Sequence, residues 1–235
     1  MNKYKSQEEE WTSLRLGLSQ SYEFSNSWKQ SIDLFKKRIS DRYLNPIEKL
    51  IKQDLKEGEG FTILTVQCTL IEMFAAFRIG KIHNNKNGCL DKYEYRSSKR
   101  VFIDFLHIAK IFEGIFWTQP KNQRKRKSEP YDASLFYEEV RCGLIHEART
   151  KGKWLINAPY TKANARKATV FIEPVGDDFK IYRTVLHYRL ENYLNEYSEI
   201  LMLENRKGEN SRRNFARKMD HLFGYTAIDN VEWWQ

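Results

Sequence analysis

The sequence predicts a mainly α-helical bundle with one small β-hairpin inserted at about residues 168–183. Apolar residues recur at spacings of three and four over most of the chain, which is the period of a helix with one buried face. The 235 residues include 5 Pro and 11 Gly, and this low number favours long uninterrupted elements over many tight turns. Aromatic residues make up 14% of the chain and can fill a sizeable core.

The first half of the chain predicts an N-terminal arm, residues 1–25, followed by the bundle. A helical stripe follows the arm and consists of Trp28, Ile32, Phe35 and Ile39. Pro46 interrupts this pattern, and because the helical period resumes after it, Pro46 predicts a kink or a new helix start. Residues 61–80 are apolar on most faces and predict a central helix that ends at Gly80, although their β-branched first half is also compatible with a strand.

The second half of the chain continues the helical pattern and contains the hairpin. The same periodicity predicts helices at 101–112, 136–149 and 185–203. Residues 168–173 and 179–182 flank a turn sequence, which predicts the two strands of the hairpin. The bundle is therefore expected to span residues 26–205, and residues 206–235 form a basic and aromatic C-terminal segment that packs on it.

The charge balance favours a polyanionic partner. The chain has 40 Lys and Arg against 31 Asp and Glu, a formal net charge of +9. Such an excess favours nucleic acid first and acidic membrane surfaces second. A membrane span is not expected, because the apolar segment 61–80 contains Gln67, Glu72 and Arg78 and is typical of a buried helix.

The cysteines indicate a reducing compartment. Cys68, Cys89 and Cys142 are isolated from one another, and neither a Cys-x-x-Cys pair nor the His/Cys spacing of a zinc site occurs. The N-terminus is polar and lacks the apolar region of a signal peptide. We therefore expect a cytoplasmic protein that uses no metal or other cofactor.

The predicted helix at 136–149 carries the residues that suggest a chemistry most directly, Arg141 and His146. Arg is a permanent cation with a planar fork suited to phosphate oxygens, and the His side chain exchanges protons near neutral pH. Two structural interpretations stay open at this point. Arg141 is placed to pair with Glu138 one turn earlier, and His146 suits the C-terminal end of a helix, where a cation is favoured.

Cleavage of RNA without a metal needs a base for the 2′-hydroxyl, an acid for the leaving 5′-oxygen and a cation for the phosphate. Arg141 suits the third task and His146 either of the first two. One His does not easily do both, so a two-fold dimer that brings two such helices together would complete the site. Five residues on an ideal helix rotate by about 140° and rise by about 7.5 Å, so the two side chains share a groove only if it crosses the helix obliquely or the helix loosens near Gly143.

Glu72 is a candidate partner for Arg141. It lies in the most apolar predicted helix, where a buried carboxylate is costly unless it is paired. If the two helices are neighbours, Glu72 would orient the Arg141 guanidinium. A bond to Arg78 or a position at the rim of the bundle are the alternatives.

The segment Arg141-Cys-Gly-Leu-Ile-His146, late on a bundle helix, resembles the Arg-x4-6-His motif of the HEPN superfamily. The resemblance covers about residues 28–205. It implies an all-helical domain that dimerises so that two motifs face each other, and in many members a metal-independent ribonuclease of toxin–antitoxin, abortive-infection or CRISPR systems. In the family the position after the Arg is often Asn or another polar residue; here it is Cys142.

Basic clusters on both sides of the motif predict contact with a phosphate backbone. The candidate RNA-binding residues are Arg124, Lys125, Arg126, Lys127, Arg149, Lys151 and Lys153. Trp154 and Tyr160 are candidates to stack on unpaired bases. Solvated loops are the structural alternative for these clusters.

Together these observations predict a homodimeric, metal-independent endoribonuclease in which Arg141, His146 and Glu72 form the site. RNA, with tRNA as one candidate, is the expected substrate, and a cognate antitoxin or regulatory protein is a further expected partner in a bacterial defence or toxin system. The alternative is a non-catalytic HEPN-like module whose basic surface binds nucleic acid or an acidic partner, and Cys142 favours this alternative.

Overall fold

The computed structural model describes residues 3–22, 26–53, 58–86, 88–117, 131–157, 162–225 and 232–234. The protein is mainly α-helical, as predicted. The helices are α1 (Lys3–Arg15), α2 (Asn26–Ile39), α3 (Asn45–Gln53), α4 (Glu59–Ile79), α5 (Ser98–Ile108), α6 (Ala133–Leu135), α7 (Cys142–Glu147), α8 (Lys162–Lys167), α9 (Arg183–Leu201) and α10 (Arg206–Leu222). π-Helical turns cover Ser40–Leu44 and Phe136–Arg141, and a 3₁₀ turn covers Lys110–Phe112.

Short strands lie between these helices. They are β1 (Ile82–His83), β2 (Glu94–Tyr95), β3 (Phe116–Trp117), β4 (Tyr131–Asp132), β5 (Trp154–Asn157), β6 (Ile172–Val175) and β7 (Asp178–Tyr182). β1 pairs with β2 and β3 with β4, in both cases in parallel. The chain divides into two compact units, which are called unit 1 (Met1–Asp41, Phe74–Ser98 and Leu194–Gln235) and unit 2 (Arg42–Met73 and Lys99–Tyr193).

The helices predicted from the long apolar stripes are confirmed. α4 is helical throughout, which excludes the strand for its first half, and it ends at Gly80, whose φ of +62° lies in the left-handed region that glycine accepts without strain. The interruption at Pro46 is also confirmed. The hydrogen-bond register changes in the π-helical turn Ser40–Leu44, and α3 begins directly before the proline.

The core of unit 1 is built around Phe215 of α10. Its ring packs against aromatic rings contributed by four other segments: Trp11, Trp28, Phe35, Phe77 and Tyr197. The sequence prediction assigned no helix to residues 206–222. The apolar stripe of α10 is hidden in the sequence because Arg212 and Asp220 also lie on its buried face.

Both buried ionic residues of α10 are paired. Arg212 donates hydrogen bonds to the carbonyl oxygens of Gln20, Leu201 and Leu203. Asp220 accepts hydrogen bonds from Arg15, from Trp11 Nε1 at 3.0 Å and from Trp234 Nε1 at 2.9 Å. Residues near the two ends of the chain are therefore held at one carboxylate in unit 1.

Unit 2 contains a three-stranded sheet with the strand order β5-β7-β6. The predicted hairpin is confirmed as β6 and β7, joined through Gly176 and Asp177, and Gly176 has a φ of +61°. The prediction was incomplete, because β5 adds a third strand that pairs in parallel with β7. This pairing is long-range, and a local sequence pattern gives no sign of it.

One helix of the described residues, Glu59–Ile79, is long and apolar enough by composition to cross a membrane. Most of its side chains are buried within the protein, among them Ile63, Leu64, Leu70 and Phe74, which is the arrangement found in the core helix of a soluble protein.

Candidate functional site

The segment that carries Arg141 and His146 is helical, but it is not one regular α-helix. After α6, the π-helical turn Phe136–Arg141 inserts an extra residue, and the amide of Cys142 donates to the carbonyl of Tyr137 five residues earlier. α7 then runs to Glu147. Of the two conditions under which Arg141 and His146 share a groove, a loosening of the helix near Gly143 is not met, because the wider turn ends at Arg141. π-Helical turns are frequent at functional sites.

Arg141 and Glu72 form an ion pair, which is one of the alternatives that the sequence left open for Glu72. Nη2 of Arg141 lies 2.8 Å from Oε2 of Glu72, and the two side chains are 16% and 22% exposed. The guanidinium also lies 5.3 Å from the centre of the Tyr137 ring. Burial disfavours the charge of Arg141, but the hydrogen bond and the charge of Glu72 outweigh it and raise the pKa of Arg141.

The alternative partner considered for Arg141 is engaged elsewhere. Glu138 forms an ion pair with Lys99 of α5. Glu72 thus pairs with the guanidinium and is itself only partly buried. The pairing and the rim position, which the sequence offered as alternatives, therefore both apply.

His146 lies in the last turn of α7, and its side chain is exposed. This position agrees with the structural interpretation that the sequence left open, a residue at the C-terminal end of a helix, where a cation is favoured. Residues 142–147 are α-helical, so the rotation of about 140° expected between Arg141 and His146 remains. A substrate bound to both would lie obliquely across the helix.

Residues 148–153, called the return loop below, follow α7 directly. Ala148 ends the helix with a φ of +53°, and among the described residues no other non-glycine residue has a positive φ in the left-handed region. The amide of Lys151 donates to the carbonyl of Glu139 at 2.8 Å, and the amide of Arg149 donates to the carbonyl of Gly143. The loop therefore runs back along the segment that carries the motif.

Glu139 anchors the strand that follows this loop. Its Oε2 accepts a 2.7 Å hydrogen bond from Nε1 of Trp154, whose ring is buried against Tyr131, Phe136 and Phe179. The prediction that Trp154 stacks on bases was therefore wrong, because its ring belongs to the core of unit 2. The carboxylate of Glu139 is likewise engaged in the fold. Tyr160 lies outside the described residues.

Two of the cations predicted to bind RNA are paired with one carboxylate. Oε1 of Glu147 lies 2.5 Å from Nζ of Lys151, and Oε2 of Glu147 lies 3.4 Å from Nη2 of Arg149. Lys153 lies 3.9 Å from Asp177, and both of these side chains are exposed. The remaining predicted cations, Arg124, Lys125, Arg126 and Lys127, lie outside the described residues.

Cys68 of α4 is fully buried in the same region as the Arg141–Glu72 pair. Burial is the main cause that raises the pKa of its thiol to about 12, and the charge of Arg141 opposes this shift. A thiol with so high a pKa is not a nucleophile at neutral pH. Cys68, Cys89 and Cys142 are all free.

Sequence reasoning missed the residues that shape the return loop: Glu139, Gly143, Ala148 and Gly152. Gly143 and Gly152 were the available signal, because a glycine often marks a close approach of the backbone. A Cβ atom on Gly143 would lie 2.5 Å from the carbonyl oxygen of Arg149, and one on Gly152 would lie 2.6 Å from Oε2 of Glu139.

No family model matches this chain, and comparison with curated proteins and with solved structures gives no significant match. Among the described residues, no group of three or more His, Cys, Asp or Glu side chains is placed to hold a metal ion.

Proposed function

We propose that this protein is a metal-independent endoribonuclease of the HEPN type. The observation that carries the proposal is the Arg141–Glu72 ion pair, which fixes a cation five residues before an exposed His146 on the same helical segment. An oriented guanidinium and a free imidazole are two of the groups that phosphodiester cleavage requires.

The reaction starts with the 2′-hydroxyl of the nucleotide before the cut. A base removes its proton, the 2′-oxygen forms a bond to phosphorus, and the bond from phosphorus to the 5′-oxygen breaks. The leaving 5′-oxygen takes up a proton, so the products are a 2′,3′-cyclic phosphate and a 5′-hydroxyl. His146 acts as the base or the acid, and Arg141 stabilises the negative charge that grows on the phosphate oxygens.

Glu72 is a positioning residue in this scheme. Its hydrogen bond restrains one edge of the guanidinium, so the donors that it does not engage keep a fixed direction toward a phosphate. Arg141 is 16% exposed, and a substrate would reach it at the edge between α4 and α7.

A single His146 supplies one of the two proton-transfer groups. We propose that a second copy of the chain supplies the other, in a two-fold dimer with two motifs at one groove. The expected substrate is RNA, with tRNA as one candidate, in a bacterial toxin or defence system of the cytoplasm with an inhibitory or regulatory partner protein.

The alternative function is a non-catalytic HEPN-like module that binds nucleic acid or an acidic partner. Two observations favour it: Arg141 is mostly buried and already paired, and Glu147 is bound to two of the surface cations. Neither ion pair requires any catalysis.

Cleavage of a labelled RNA in EDTA separates the two functions. The wild type is expected to cleave and leave a 2′,3′-cyclic phosphate, whereas His146→Ala is expected to be inactive. His221→Ala is the matched control, since His221 also lies in the last turn of a helix and belongs to unit 1. Equal cleavage by wild type and His146→Ala, or a requirement for Mg²⁺, would contradict the proposal. Binding without cleavage would support the alternative.

A mixing experiment tests the dimer. Wild type is refolded with an excess of His146→Ala. If two copies of His146 act in one groove, mixed dimers lack one proton-transfer group, so the activity per wild-type chain is expected to fall well below that of wild type refolded alone. Unchanged activity per wild-type chain, together with a monomeric mass in light scattering, would exclude the shared site.

A further inference from the structure

The return loop runs beside the candidate site. Its backbone forms two hydrogen bonds with the motif segment, from the amide of Lys151 to the carbonyl of Glu139 at 2.8 Å and from the amide of Arg149 to the carbonyl of Gly143 at 3.4 Å. Gly143 and Gly152 allow the two stretches of chain to approach so closely, because a Cβ atom at either position would overlap with its neighbour. The directions in which Arg149 and Lys151 leave the backbone are therefore fixed.

The side chains of Arg149 and Lys151 face solvent and converge on one carboxylate. Arg149 is 69% exposed, Lys151 is 40% exposed, and Glu147 contacts both cations. The hydrogen bond from Lys151 is the main cause that lowers the pKa of Glu147, so this carboxyl group is ionised at neutral pH. The two oxygens of the Glu147 carboxylate thus contact one cation each, Oε1 that of Lys151 and Oε2 that of Arg149, one residue after His146.

This carboxylate occupies a position that helix energetics disfavour. Glu147 is the last residue of α7, where the carbonyl ends of the helix carry partial negative charge and an anion is destabilised. The next residue, Ala148, adopts the left-handed conformation, which is unfavourable for a residue with a Cβ atom. Two adjacent residues are therefore in unfavourable positions, Glu147 at the C-terminal end of a helix and Ala148 in the left-handed conformation. Backbone strain of the second kind concentrates at functional sites.

We propose that Glu147 occupies, in the free protein, the position that a phosphate of bound RNA takes between Arg149 and Lys151. RNA binding then requires that the phosphate displace the carboxylate. The return loop is the phosphate-binding element next to His146, and Glu147 lowers the affinity of the empty site for RNA. The choice of RNA as ligand rests on the proposed function, but the displacement does not depend on cleavage.

Phosphate is a suitable replacement for the carboxylate. It offers more acceptor oxygens, and an Arg side chain with a neighbouring Lys is a frequent phosphate-binding pair. A phosphate held at residues 149–151 lies on one chain flank of His146 and would fix the register of the strand being cut. This predicts salt-sensitive binding with little dependence on base sequence.

The test compares Glu147→Gln with Glu138→Gln, both in the His146→Ala background so that no RNA is cut. Both substitutions raise the net charge by one, but Glu138 pairs with Lys99, outside the return loop. Binding of fluorescein-labelled oligouridylate is measured by fluorescence anisotropy at several KCl concentrations. Glu147→Gln is expected to bind about threefold to fivefold more tightly at low salt, and Glu138→Gln less than about twofold.

A second pair of variants ties the effect to the two cations. In a protein that also carries Arg149→Ala and Lys151→Ala, the change Glu147→Gln is expected to give no gain in affinity. Thermal unfolding followed by circular dichroism checks that each variant is folded, as expected for exposed side chains.

The outcomes are distinct. An equal gain with Glu138→Gln, or no gain with Glu147→Gln, would overturn the proposal. A gain for polyglutamate as large as that for oligouridylate would assign the loop to an acidic protein partner instead of RNA. If the wild type binds RNA with this dependence but cleaves none, the proposed function fails and the phosphate site stands.

Discussion

Nη2 of Arg141 donates a hydrogen bond of 2.8 Å to Oε2 of Glu72, a residue 69 positions earlier in the chain. The contact joins α4 to the motif segment. It links the stability of unit 2 to the orientation of the proposed catalytic cation, and it can be tested on both counts.

Replacement of Glu72 by Ala is expected to lower the free energy of unfolding by about 1.5–3 kcal/mol, because it leaves a largely buried guanidinium without its charged acceptor. Glu72→Gln keeps an acceptor oxygen and is expected to cost less. If the proposed function holds, Glu72→Ala also lowers kcat for RNA cleavage more than it raises KM. Urea denaturation and steady-state kinetics measure the two effects, and an unchanged stability for Glu72→Ala would contradict the pairing.

The contact between Trp154 and Glu139 predicts a local effect on the return loop. Trp154→Phe keeps an aromatic ring in the core but removes the Nε1 donor, so we expect a loss of about 1–2 kcal/mol in unfolding free energy. The amide of Lys151 should then exchange its hydrogen faster, because Glu139 holds it. Leu155→Ala is the control, since Leu155 is an exposed neighbour in the same strand. Equal exchange in both variants would refute the anchoring role of Trp154.

Asp220 is expected to be among the most sensitive positions of unit 1. Asp220→Asn removes the charge that balances buried Arg15, and we expect a loss of about 3–5 kcal/mol. Glu232 also contacts Arg15 but is more exposed, so Glu232→Gln is expected to cost less than about 1 kcal/mol. The urea midpoint, followed by tryptophan fluorescence, ranks the two variants. Combining Asp220→Asn with Arg15→Met should recover part of the loss, since no unpaired charge then remains.

Cys68 predicts a dependence of stability on alkaline pH. Burial raises the pKa of its thiol from 9.0 to about 12, so the folded state keeps the proton that the unfolded state releases. The contribution of Cys68 to stability is constant below pH 9 and is lost as the pH rises toward 12. Cys68→Ala should flatten this decline, whereas Cys89→Ala, at an exposed position, should not. In the native protein at pH 8, a thiol reagent should label Cys89 before Cys68, and the reverse order would contradict the burial of Cys68.

The sequence was most informative where one periodic stripe decided the structure. The apolar faces of α2, α4 and α9 predicted their helices, and the cost of a carboxylate in an apolar helix indicated Arg141 as one candidate partner of Glu72, beside Arg78 or a position at the rim. The π-helical turn at Phe136–Arg141 was not predictable, because its buried residues Phe136, Tyr137 and Val140 follow an ordinary helical spacing and give no sign of the extra residue.

Two other features were not predicted from the sequence, for different reasons. The pairing of β5 with β7 joins distant parts of the chain, and no local pattern encodes it. Helix α10 was missed because its sequence is basic and its buried face includes two charged residues, Arg212 and Asp220, which are paired within the fold. For the site itself, the sequence suggested the two reacting groups, whereas the path of the return loop depends on backbone contacts that residue types do not reveal.

The carboxylate of Asp220 also affects the order in which parts of the chain can fold during synthesis. Trp11 and Arg15 precede their acceptor by 209 and 205 residues, and Trp234 follows it by 14. On the ribosome, α1 therefore lacks this partner until the 205 residues from Arg15 to Asp220 have been made, whereas every residue of unit 2 precedes Asp220 in the chain. Unit 2 is thus fully synthesised while unit 1 still lacks the carboxylate that joins its first and last segments.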